Sequence, residues 1–177
     1  SVSFGRHVTS AGRDHFVLQS LPTPGQRNAY PLVGPVVINE IMYRPAGDEG
    51  AEYVELLNIT RDPVTLFDFG ALLPWRFTDG SGIEFPFPSD NPLTLQAGEH
   101  LLLVRSEALV RRLYSIPTNV QIREWGSGRL SNSGETLQLL RPGDVDEAGA
   151  RYWVEVDRLT YSDGSHPDEF EDGLDRW

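Results

Sequence analysis

Val36-Val37-Ile38-Asn39-Glu40-Ile41-Met42-Tyr43 is followed by Arg44-Pro45-Ala46-Gly47-Asp48-Glu49-Gly50-Ala51 and then by Glu52-Tyr53-Val54-Glu55-Leu56-Leu57-Asn58. Two apolar runs flank one Pro/Gly/acidic turn, the pattern of a hairpin-like pair of buried strands. Neither alternating face of residues 36–43 is cleanly polar, so this strand is expected to be covered on both sides, or nearly so. The rest of the chain reads as layers added to this pair.

Downstream, residues 58–63 are turn chemistry and residues 64–66 a short third strand. Residues 72–78 and 83–87 flank Asp79-Gly80-Ser81-Gly82, whose glycines supply the positive φ of a tight hairpin. Pro86, Pro88 and Pro92 then end the pairing. Residues 93–95 lead through Gln96-Ala97-Gly98-Glu99 into an almost wholly apolar strand at 100–104. One helix is predicted next. Ser106 caps it, Leu109, Val110 and Leu113 share a face, Arg111 and Arg112 lie on or beside the wet side, and Pro117 closes it. Residues 120–122 read as a strand broken by Gly126-Ser127-Gly128. Residues 136–140 form a strand ended by Arg141-Pro142-Gly143, and residues 144–149 an acidic loop tip. Residues 152–161 are the last strand, with Trp153, Val156 and Leu159 expected in the core. Upstream, residues 16–18 are a short strand, and the aperiodic prolines between 22 and 35 predict an extended linker. Short strands with frequent turn signals predict an all-β sandwich or barrel, and the sandwich is the preferred reading.

The chain has 177 residues, with 39% hydrophobic content, 13 Pro and 17 Gly. That suits a turn-rich β-protein of one domain, or one domain plus an appendage. The net charge is −11, and every one of the 15 basic residues is Arg. This balance argues against nucleic acid, whose binding rests on cations placed against phosphate, and against anionic lipid. With no Cys, disulfides, thiolate chemistry and Cys-based zinc sites are excluded. No run approaches the roughly 18 apolar residues of a membrane span, so direct insertion is not expected.

Four blocks resemble bacterial lamin tail domains. They are the opening pair at residues 36–58, then Thr94-Leu95-Gln96-Ala97-Gly98-Glu99-His100-Leu101-Leu102-Leu103-Val104, then Leu130-Ser131-Asn132-Ser133-Gly134-Glu135-Thr136-Leu137-Gln138-Leu139, and finally Val156-Asp157-Arg158-Leu159-Thr160-Tyr161. They stand in the family's order and cover about residues 36–165. The resemblance implies an immunoglobulin-like β-sandwich with no catalytic residues to carry over. It implies an interaction domain, which sits on lamins in eukaryotes and in large exported multidomain proteins in bacteria. Such domains end in Ser/Thr-Pro-Gly-x-x-Asn. Here Pro24-Gly25-Gln26-Arg27-Asn28 precedes the domain. Residues 1–35 are therefore expected to be the C-terminal remnant of a preceding module plus a linker, and residues 36–177 a module truncated at its C-terminus. The segment 4–28 is expected to fill an open sheet edge, in its own chain or in a neighbour.

Glu40, Glu52 and Glu55 lie on adjacent predicted strands. Converging, they would make a carboxylate pair for acid/base work or a metal site. The plainer reading is rim carboxylates paired with Arg44, Arg61 or another arginine. Asp144, Asp146 and Glu147 form one acidic run, and Asp168, Glu169, Glu171, Asp172 and Asp175 a denser one. Calcium needs several oxygens at once, but neither run has the full spacing of a calcium loop, so solvated surface is the plainer reading. His7, His15, His100 and His166 show no zinc spacing. No Gly-x-Ser-x-Gly elbow supports a hydrolase. Of Trp75, Trp125, Trp153 and Trp177, Trp125 beside Gly126 is the candidate for stacking on a sugar, against the commoner use of aromatics in cores. Asn58-Ile59-Thr60 is a formal glycosylation sequon at a strand end, where modification is not expected.

The expected function is that of a non-catalytic interaction or spacer module in an extracellular or cell-surface protein. It would contact protein or surface glycan through loops and sheet edges and need no cofactor. The alternative is a calcium-binding domain or metal-assisted hydrolase built on the clustered carboxylates. A filament role would need heptads, and the chain has no heptad run.

Overall fold

The computed structural model of the chain describes residues 3–8 and 14–163. The chain divides into two compact units, Ser1–Gly34 and Pro35–Trp177. In the first, β1 (Phe4–Val8) and β2 (Asp14–Leu18) form an antiparallel ladder, Phe4 opposite Leu18 and Val8 opposite Asp14. Residues 14–18 thus take a ladder partner from residues 4–8, and Arg6 pairs with Asp14 across them. Where the prolines predict an extended linker, the chain folds back instead. The Ser20 N–H donates to the Tyr30 carbonyl at 3.0 Å and the Leu32 N–H to the Leu18 carbonyl at 2.7 Å. Gln19 bridges to Pro31. Proline removes only its own donor, and the groups between the prolines remain free to pair.

The second unit contains β3 (Val36–Met42), β4 (Tyr53–Asn58), β5 (Val64–Thr65), β6 (Phe67–Asp68), β7 (Leu73–Pro74), β8 (Arg76–Thr78), β9 (Glu84–Pro86), β10 (Thr94–Leu95) and β11 (His100–Val104). Then come α1 (Glu107–Leu113), β12 (Gln121–Glu124), β13 (Gly134–Val145) and β14 (Arg151–Ser162). One four-stranded sheet has the order β12-β11-β4-β3 and the other β14-β13-β8-β9, with two-stranded ladders β10–β5 and β6–β7 beside them. Val54, Leu56, Leu101 and Leu103 from the first sheet meet Phe77, Leu137 and Leu139 from the second, all fully buried. The two sheets close over this core as an immunoglobulin-like β-sandwich. The alternation is strict in β4, where Val54, Leu56 and Asn58 are buried and Tyr53, Glu55 and Leu57 turn the other way.

The opening pair forms as its sequence predicts, from Val36 opposite Asn58 to Met42 opposite Tyr53, with an irregularity between Ile38 and Glu40. That irregularity leaves both Asn39 and Glu40 exposed, so β3 is open on one side rather than covered on both. The Ile38 N–H donates to Asp157 Oδ2 on β14 at 2.7 Å. The predicted hairpin around Asp79 also forms, Thr78 opposite Glu84. Asp79 Oδ1 accepts from the N–H groups of Ser81, Gly82 and Ile83 at 2.7, 2.7 and 2.9 Å.

Three expectations are corrected. β13 does not stop at Arg141-Pro142-Gly143 but runs through it, Pro142 opposite Trp153. The ladder with β8 has already ended at Leu140, so the donor that proline lacks is not needed there. Trp153 is half-buried with Arg76 lying 4.0 Å over its ring, and Leu159 is exposed, because β14 is an edge strand. At the helix, Ser106 is the N-cap residue but makes no side-chain cap bond; Glu124 Oε1 accepts the Glu107 N–H at 2.7 Å instead. Val110 is buried, while Leu113 turns to solvent.

Candidate functional site

α1 and β12 follow β11, and β12 pairs parallel to it, so α1 spans the crossover. The helix covers part of the sheet's outer face, where Ala51, Leu102, Val104, Val110 and Ile122 form a second, smaller core. Strand parity puts Tyr53 and Glu55 on this outer face. In the ladders Glu55 stands between Leu102 of β11 and Glu40 of β3. A pocket of about 160 Å³ opens at the margin of the helix-covered area. Leu102, Val110, Ile116 and Val120 supply its apolar lining, Tyr53 and Tyr114 its aromatic wall, and Glu40 and Glu55 its acidic edge. The two tyrosine rings meet edge to face, centroids 5.4 Å apart at 84°.

Tyr53 donates its hydroxyl to Glu40 Oε1 at 2.6 Å. Glu55 Oε1 accepts from Asn39 Nδ2 at 2.7 Å and lies 2.9 Å from His100 Nδ1. Burial, and then the Glu40 carboxylate, push the Tyr53 hydroxyl well above the ordinary tyrosine range. Tyr114 is raised too, by burial first and Glu40 second. Both therefore stay neutral and hold their protons as donors.

Glu52 does not join this pair. It is almost fully buried, its Oε2 accepts the Leu130 N–H at 3.1 Å, and Arg105 lies 3.5 Å from Oε1. Desolvation raises its carboxyl, against the lowering effect of those two partners. Glu52 is thus a buried carboxylate rather than one at the rim, its arginine neighbour is Arg105, and neither Arg44 nor Arg61 pairs with any of the three glutamates among the described residues. Among the described residues no three His, Asp or Glu side chains gather where they could hold a metal ion.

A second, more polar depression of about 530 Å³ is bordered by Arg44, Arg129, Ser131, Asn132 and Glu135. Tyr161 hydroxyl sits 2.8 Å from the Ser131 carbonyl and 2.9 Å from Glu135 Oε1, and the Ser131 N–H donates to that same oxygen at 2.8 Å. Burial raises the Glu135 carboxyl above its ordinary value.

The four sequence blocks thus fall on the strands of one sandwich, and a family model described as Lamin Tail Domain matches residues 31–163. The chain belongs to the lamin tail domain family. A comparison with curated proteins gave no match. The lamin tail domain is an immunoglobulin-like interaction domain, and it is not known as an enzyme.

Within this lamin tail domain, Trp125 is not a sugar platform. It is 4% exposed in the main core, with Nε1 donating to the Gly128 carbonyl at 3.4 Å. Trp75 is buried as well. Asp168, Glu169, Glu171 and Asp172 lie outside the described residues. Asp146 Oδ1 accepts the N–H groups of Ala148 and Ala150 at 2.9 and 2.8 Å, so this acid caps its own turn. Asn58 of the sequon is fully buried and committed to the fold. The tyrosines of the pocket escaped the sequence reading. Their signal was local: Tyr53 and Glu55 stand two apart in a strand and must share a face.

Proposed function

We propose that this lamin tail domain is a non-catalytic interaction and spacer module of a larger, exported multidomain protein. The observation that carries the reading is the half-covered outer sheet face. α1 buries Leu102, Val104 and Ile122, while the adjoining strip has an exposed Glu40 and partly buried Tyr53 and Glu55 beside a small pocket. Interaction domains expose such mixed apolar, aromatic and polar patches. The filled sandwich behind it provides a rigid support. A protein is the favoured partner. The polar depression beside Arg44 and Asn132 favours surface glycan as a second contact, through side-chain hydrogen bonds rather than ring stacking.

The test has two arms. Protease treatment of intact source cells, followed with an antibody to this chain, is expected to remove the epitope from the cell surface. An epitope protected until lysis would overturn the exported assignment. Calcium titration by calorimetry separates the module from the metal-dependent alternative. Heat of binding at a stoichiometric site, together with metal-dependent hydrolysis, would replace the interaction reading.

A further inference from the structure

We infer that the pocket between Tyr53 and Tyr114 is a receptor for one basic side chain, arginine or lysine, of a partner protein. The inference rests on the interaction reading and names the chemistry of its contact. Size comes first. At about 160 Å³ the pocket is well below the roughly 300–1,000 Å³ of small-molecule sites, and it suits a single side chain. Polarity comes second. A basic side chain is an alkyl stem with a cation at its end, and such chains lay the stem on apolar surface while the head stays near water. The pocket has that same gradient: Leu102, Val110, Ile116 and Val120 line it, and Glu40 and Glu55 border it.

Charge is the third observation. Two carboxylates face the pocket, and the basic group within ion-pair distance of them is His100, beside Glu55. Among the described residues no cation pairs with Glu40. The helix arginines are engaged elsewhere: Arg111 with Glu107 at 2.7 Å, and Arg112 with Asp48 at 2.8 Å. Tyr53 donates its hydroxyl hydrogen bond to Glu40 and so fixes that carboxylate beside the pocket, while the edge-to-face pair of tyrosine rings gives the pocket an aromatic wall. A guanidinium or ammonium seated there gains a charge-assisted hydrogen bond and an aromatic contact at once. An anion gains neither.

The test uses the 177-residue chain, labelled for NMR, and three blocked tripeptides: acetyl-Gly-Arg-Gly-amide, acetyl-Gly-Lys-Gly-amide and acetyl-Gly-Gln-Gly-amide. Tetramethylammonium serves as a free cation without a stem. The arginine or lysine peptide is expected to give saturable millimolar shifts at Tyr53, Tyr114 and Leu102. The glutamine peptide is expected to give none there. Glu40→Gln keeps an acceptor for the Tyr53 hydroxyl on an exposed residue, so its fold is expected to survive. It should weaken the basic peptides by about fivefold or more, and Glu40→Gln with Glu55→Gln by about tenfold or more.

Absence of saturable shifts, equal response to the glutamine peptide, or full affinity in the double variant would overturn the inference. Tetramethylammonium binding as tightly as the peptides would assign the site to a small free cation and overturn the side-chain reading. Self-association of the chain that the arginine peptide competes away would support it, with a second copy as the partner. Failure of all the peptides beside cell-surface exposure and no calcium-dependent hydrolysis would remove this pocket while leaving the module reading intact.

Discussion

Asn58 is fully buried where β4 ends, and its one amide holds four backbone groups on two segments, residues 60–62 and 95–96. Nδ2 lies 2.9, 3.0 and 3.1 Å from the carbonyls of Asp62, Leu95 and Gln96, and Oδ1 accepts the Thr60 N–H at 2.9 Å. Asn58→Ala would strand these groups away from water. It is expected to cost about 3 kcal/mol or more in denaturant unfolding, more than the effect of Thr60→Ala at the half-buried turn. Two acids, the buried Glu52 and the half-buried Glu135, govern pH response. The carboxyls of Glu52 and Glu135 are raised above 4.5 in the folded protein, first by desolvation. The folded state therefore holds their protons to higher pH than the unfolded chain does. The stability they contribute is present below the ordinary glutamate value and falls as pH rises through the raised one. Glu52→Gln and Glu135→Gln are each expected to flatten the decline of the melting temperature from about pH 4.5 upward. Melting curves over a pH series read this directly, and an unchanged slope would contradict it. Parity explains why Glu52 stands apart from Glu40 and Glu55. Residues 54, 56 and 58 face the core, so residue 52 falls in phase with them, whereas Glu55 is out of phase. That much was legible in the sequence. The burial of Trp125 was not, since the core it joins is assembled from strands remote in sequence.

Among the elements, those with local signals matched their sequence. The β3–β4 and β8–β9 hairpins carry their turn residues between their own strands. The two-residue ladders β10–β5 and β6–β7 were not legible as paired elements, because pieces this short are fixed by what they pack against. The passage of β13 through Pro142 was misread for a related reason: whether a missing N–H matters depends on a neighbour that is remote in sequence. One loop contact gives a sharp expectation. Gly128 has φ +85°, and a Cβ there would stand 2.5 Å from the Gly82 carbonyl oxygen, which is backbone and cannot swing away. Gly80 has φ +74° with open space around it. Gly80→Ala should therefore cost about 1 kcal/mol of conformational strain, and Gly128→Ala roughly 2–4 kcal/mol, because strain and collision add. Equal losses in chemical denaturation would mean that the loop relaxes around the added methyl.

For the whole chain, the distribution of burial separates the two units. Among the described residues, every buried apolar side chain lies at position 36 or later, whereas Phe4, Phe16, Tyr30 and Leu32 of the first unit are all more than half exposed. A two-stranded ladder with so little buried is marginal alone, and a filled sandwich is not. A chain beginning at Pro35 is expected to unfold cooperatively with a melting temperature within a few degrees of the whole, while residues 1–34 alone should show no cooperative transition by circular dichroism. Loss of cooperativity in the shorter chain would mean that the sandwich needs the first unit. Asp157 carries a further meaning at this scale. Its carboxylate already occupies the Ile38 donor on the border strand β3. A foreign strand sliding alongside would find that rung of the ladder taken and would meet a negative charge. Copies of the chain can thus be concentrated side by side with less risk of zipping together into fibrils.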